Sequence, residues 1–185
     1  MLREIKTFGY DKKDLEGVFE KNVFHAQECI ETDGEFQPTL FMITDKCLFY
    51  IMLDLEQATR TNTSPHDQVE PLVKQFMKME NKVGKIVAYQ VIGEAWTIKL
   101  PMSHTKGLKI KQGDIAKMAN RVEMLTSVTV KVGKRRKYRM MEIIREENSD
   151  KIMMFKEQSI ENSKMFTTKF PEIPKQRDLW TGDVA

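Results

Sequence analysis

The sequence predicts an α+β domain: an antiparallel sheet of five or six strands with two helices on one face. Two stretches place apolar residues at helical spacing, and the others read as strands separated by short turns. Strands joined by tight hairpins pair antiparallel, and amphipathic helices then cover the sheet. The predicted order is α-β-β-α-β-β-β-β. Profilin-like and GAF-like sheets share it, an analogy of architecture that carries no function.

The first helix is expected from about Asp11 to Thr32, with Asp11 as its cap. Leu15, Phe19, Asn22, Ala26 and Ile30 recur along one side, Val18 and Cys29 flank them, and Phe24 points the other way. Asp33-Gly34 supplies a stop. Thr39–Ile43 and Cys47–Leu53 follow as strands around Thr44-Asp45-Lys46. Both are apolar on both faces, which fits strands inside a covered sheet. Residues 56–68 are polar and read as a loop. Glu70-Pro71 opens the second helix, Leu72, Val73, Phe76 and Met77 set its faces, and Gly84 ends it.

Ile86–Ile98 is the longest strand candidate. Period-2 alternation puts Gln90, Ile92, Glu94, Trp96 and Ile98 on one face, and Gly93 marks a bulge or a close backbone approach. Residues 102–120 read as a long Lys- and Gly-rich loop. Arg121–Val132 and Lys137–Arg145 form a hairpin around Gly133-Lys134-Arg135-Arg136, and a third turn leads into Lys151–Glu157. The chain therefore divides into one domain over 1–158 and an extended C-terminal arm over 159–185, ordered where its aromatics find a groove.

Composition bounds the function. The chain has 185 residues, 41% of them hydrophobic, which is enough for one globular domain without a staple. Two cysteines make no disulfide framework. No stretch reaches the roughly 20 apolar residues of a membrane span, and Met1–Lys6 has no apolar core of a signal peptide. A cytoplasmic protein without membrane contact is the expectation. Net charge is +3 with a pI near 8.7, so basicity is local. Thirteen methionines suit an irregular core or an adaptable surface.

Three constellations could carry chemistry. His25, Glu28 and Cys29 lie within one helical turn, a spacing that serves a metal, an activated thiol or, more commonly, a small buried cysteine. Glu94 lies amid Ile92, Trp96 and Ile98: a covered face requires it to be paired, by Arg121 or Arg145, or to carry a raised pKa, and an open face leaves it solvated. Glu94, Trp96 and Arg121 are the ligand-site candidates. Lys131, Lys134, Arg135, Arg136, Lys137 and Arg139 gather at one hairpin tip, either to grip a polyanion or to keep the tip solvated.

Nucleotide-loop, serine-hydrolase and zinc-peptidase motifs are missing. Gly93-Glu94-Ala95-Trp96, followed by Asn120-Arg121-Val122-Glu123, resembles a group of small uncharacterised microbial and phage proteins across residues 36–157. The Pro that precedes the Arg in that group has no counterpart near Arg121. The resemblance implies an architecture and no catalytic residue.

The reading is thus a non-enzymatic binding or assembly module without a cofactor. It forms a homodimer and offers its C-terminal arm to a protein partner. Nucleic-acid binding by the basic hairpin and metal or thiol catalysis by His25, Glu28 and Cys29 are the alternatives.

Overall fold

The computed structural model describes residues 5–98, 118, 120–147, 149–158 and 170–173. Its elements are β1 (Ile5–Phe8), α1 (Leu15–Asp33), β2 (Thr39–Thr44), β3 (Leu48–Met52), α2 (Leu55–Thr61), α3 (Val69–Lys78), α4 (Glu80–Val83), β4 (Ile86–Ile98), β5 (Arg121–Lys131), β6 (Lys137–Arg145) and β7 (Ile152–Gln158). A 3₁₀ turn over Pro65–Gln68 precedes α3. The class is α+β. The sheet is antiparallel with seven strands in the order β1-β3-β2-β4-β5-β6-β7, rather than five or six.

The added strand is β1, which pairs with β3 from Ile5↔Ile51 to Phe8↔Leu48. Four residues are too few to show a period in sequence. Residues 56–68, expected as a loop, hold most of α2 and the 3₁₀ turn. Both start on side-chain caps: Asp54 Oδ1 accepts from the Gln57 N–H at 2.9 Å, and Ser64 and Asp67 form a reciprocal capping box. Capping, not an apolar stripe, makes these turns.

The two principal helices lie on opposite faces, which corrects the expected one-sided arrangement. Leu40 and Met42 of β2 stand beside Ile51 and Phe49 of β3 and Val91 and Tyr89 of β4. This face packs with Val69, Leu72, Val73 and Phe76 of α3. Phe41 and Ile43 face the other way with Leu48, Ala88 and Ile92, and pack with Val18, Phe19, Val23, Ala26 and Ile30 of α1. All six residues of β2 are buried. A strand apolar on both faces needs cover on both, so one helix is drawn to each side.

Local chemistry fixes the joints. Asp14, rather than Asp11, caps α1 by accepting from the Gly17 N–H at 2.8 Å, while Asp11 holds the turn before it. Gly34 closes α1 in the left-handed region, its N–H donating to Ile30 O. Gly93 is a close approach, not a bulge: a Cβ there would lie 3.3 Å from Pro38 Cβ, and the β4–β5 register runs unbroken. No helix among the described residues is long and apolar enough to cross a membrane.

Candidate functional site

The long β4–β5 ribbon carries Glu94, Trp96 and Arg121 on the α1 face; Trp96 and Arg121 contact each other, and Glu94 serves a separate contact. Glu94 Oε1 accepts the backbone N–H of Phe36. Burial pushes the Glu94 carboxyl above its ordinary range, against the pull of that hydrogen bond. The Arg145 charge pulls in the same direction as that hydrogen bond, but its guanidinium makes its direct contacts elsewhere. Arg145 forks onto Glu123, with Nε to Oε2 at 2.8 Å and Nη2 to Oε1 at 2.7 Å. Arg121 lies over the Trp96 ring, 4.5 Å from its centroid. Trp96 is 41% exposed, so the face that is covered at Glu94 opens two residues on.

The basic hairpin is largely matched from within. Lys131 bonds Glu16 of α1, and Lys137 Nζ lies 3.7 Å from the same carboxylate. Arg139 meets Glu20 at 2.6 Å and Glu157 of β7 at 3.0 Å. Arg136 lies 3.7 Å from Glu172. Lys134 and Arg135 project from the turn, both exposed at residue level. Four of the six cations thus approach carboxylates, and Lys134 and Arg135 face solvent. Lys106, Lys109, Lys111 and Lys117 of the loop, and Phe166 and Trp180 of the arm, lie outside the described residues.

His25 and Cys29 do come together, Cys29 Sγ standing 3.8 Å from His25 Nε2 and 3.9 Å from Nδ1. Burial, then the Asp33 and Glu28 charges, push the Cys29 thiol above its ordinary value. A nucleophilic thiol needs the opposite shift. Among the described residues no group of three His, Cys, Asp or Glu side chains is placed to hold a metal ion.

Two features had no motif in the sequence. Between α1 and the β1–β3 edge lies a groove of about 430 Å³ lined by Lys6, Phe8, Asn22, His25, Phe41, Leu48, Tyr50 and Met52. Phe41 and Tyr50 meet edge to face at 5.2 Å, and His25 stands 6.2 Å from Tyr50. Asn22 is 7% exposed, and its amide nitrogen donates to Gln90 Oε1 at 2.9 Å. Gln90 donates in turn to Ser127 Oγ at 2.9 Å and Phe19 O at 3.3 Å. This chain of amides pins the groove's inner wall to the sheet. The spacing of Asn22 and His25, three apart on α1, was readable; their meeting with Tyr50 depends on β3 lying below.

On the α3 face, Phe170–Ile173 docks beside β4 and the β5–β6 turn. Phe170 and Ile173 are buried. Phe170 stands edge to face with His66 at 5.9 Å, Tyr89 donates its hydroxyl to Pro171 O, and the Gly133 N–H donates to Ile173 O at 3.1 Å.

Compared with protein-family models, with curated proteins and with solved structures, the chain matches none.

Proposed function

We propose that this protein is a non-enzymatic binding module whose ligand surface is the aromatic groove between α1 and the β1–β3 edge. The groove itself carries the reading. Its volume falls in the range of small-molecule sites, roughly 300–1,000 Å³, and such sites are apolar with few polar groups. Here aromatic and aliphatic walls surround one imidazole, one amide, one phenol hydroxyl and one ammonium, without a carboxylate in the lining. An aromatic ligand fits that lining. The thiol beside His25, Cys29, is pushed away from its thiolate form rather than toward it, which supports reading the groove as a binding surface.

Titration with 8-anilinonaphthalene-1-sulfonate, an aromatic anion, tests this by fluorescence. The native protein at pH 7 is expected to bind it saturably. Tyr50→Ala and His25→Glu should each weaken binding at least fivefold without changing the circular dichroism. Signal that never saturates, or equal binding by the variants, defeats the reading.

Polyanion binding by the hairpin is the weaker reading, because Glu16, Glu20, Glu157 and Glu172 already approach its cations. Self-association as a homodimer remains part of the proposal and needs a surface apart from this groove.

A further inference from the structure

The docked tetrapeptide Phe170-Pro171-Glu172-Ile173 is held as a peptide ligand is held. Its two terminal side chains are buried, two of its carbonyls accept hydrogen bonds, and its one carboxylate faces a guanidinium. The receiving groups come from three separate elements: His66 in the 3₁₀ turn, Tyr89 on β4, and Gly133 and Arg136 in the β5–β6 turn. Pro171 has no N–H to satisfy and restricts Phe170 to extended backbone, so such a segment loses little freedom on docking.

Burial of both ends, main-chain hydrogen bonds and charge pairing together specify a hydrophobic–Pro–acidic–hydrophobic sequence. Arg136 thereby gains a role that a solvated tip does not require: it faces the acid at the third position.

We infer that this site also takes the Phe170–Ile173 segment of a second copy, so that two chains assemble by exchanging it. Every contact that seats the segment is available to an identical segment from another chain, and exchange is a low-cost route to a symmetric dimer. Charge complementarity between Arg136 and Glu172 selects this occupant over a generic apolar one. The site lies on the α3 face and stands whether or not the aromatic groove binds anything.

A charge swap in full-length chains tests it. Glu172→Lys and Arg136→Glu each place like charges together within one chain. When the two variants are mixed, exchange pairs the native Arg136 of one with the native Glu172 of the other, and the introduced lysine with the introduced glutamate. Sedimentation velocity is expected to show the mixture associating at least tenfold more tightly than either variant alone. A synthetic peptide of residues 167–175 should dissociate that complex, and the same peptide with Phe170 and Ile173 replaced by Ala should not. A mixture no more associated than its components overturns the inference. So does a mixed dimer that the native peptide leaves intact.

Discussion

Arg145 on β6 clasps Glu123 on β5 through two contacts, Nε to Oε2 at 2.8 Å and Nη2 to Oε1 at 2.7 Å. Its remaining donors reach Gly34 O at 3.3 Å and Asp150 O at 2.7 Å. One guanidinium thus ties the end of α1, the β5–β6 ladder and the β6–β7 turn. The pair is mostly shielded, with side-chain exposures of 21% and 12%. Removing one partner leaves the other charge poorly solvated. Glu123→Ala is expected to cost about 2 kcal/mol, below the value for a fully buried pair because Arg145 keeps some water. The double variant Glu123→Leu/Arg145→Met should recover at least half of it. Urea denaturation measures both, and additive losses in the double variant would contradict this account.

Asn22, Gln90 and Ser127 form a buried amide chain with every hydrogen bond below 3 Å between side chains. Asn22→Leu strands Gln90 Oε1 without a donor in the core, at about 1–3 kcal/mol. Adding Gln90→Met removes the stranded acceptor, so the two losses should couple by about 1 kcal/mol in a double-mutant cycle. Independent losses would show that the chain contributes packing alone.

The sequence exposed those parts of the fold that have long local periods. Ile86–Ile98 is readable because its alternation persists over a strand of 13 residues, and α1 because its stripe recurs over about four turns. β1 has four residues and α2 buries only Ala58, so neither leaves a pattern. The placement of helices on both faces was implicit in Thr39–Ile43, whose neighbouring positions are all apolar or small. The second face of that strand demands cover of its own, which draws one helix to each side. The candidate sites were less legible for another reason. Glu16 meets Lys131, and Phe170 meets His66, across separations that no local spacing records.

Gly84 shows where a small residue is required. Its φ is +91°, and a Cβ would lie 2.3 Å from Asp45 Oδ1. That carboxylate accepts the Lys85 N–H at 2.9 Å, so it cannot swing aside freely. Gly84→Ala is expected to destabilise by about 1–3 kcal/mol through backbone strain and the displaced carboxylate. Gly9, where an added Cβ meets nothing within 4 Å, is the control: Gly9→Ala should stay within about 0.5 kcal/mol. Thermal denaturation of the two variants side by side decides the matter.

His66 makes docking of the C-terminal segment sensitive to acid. The imidazole meets Phe170 edge to face, and Ser64 Oγ lies 3.2 Å from its Nδ1. Burial lowers its pKa below the ordinary value, while the Asp67 carboxylate works the other way. Asp67 is itself held by the Ser64 N–H at 2.9 Å, which limits how far it can turn to help. A histidine depressed in the folded state binds its proton less readily than in the unfolded chain. Its contribution is therefore complete above about pH 6.5 and is lost as the pH falls below that value, levelling off beneath the folded pKa. Melting temperature should drop from pH 7.5 to pH 5, and His66→Phe, which keeps an aromatic ring against Phe170, should reduce that drop. The Gly133 amide, bonded to Ile173 O, reports the docking directly. Its hydrogen-exchange protection, corrected for intrinsic rate, is expected to fall with acid in the native protein and to change less in the variant. Equal pH dependence in both proteins would place the acid sensitivity elsewhere.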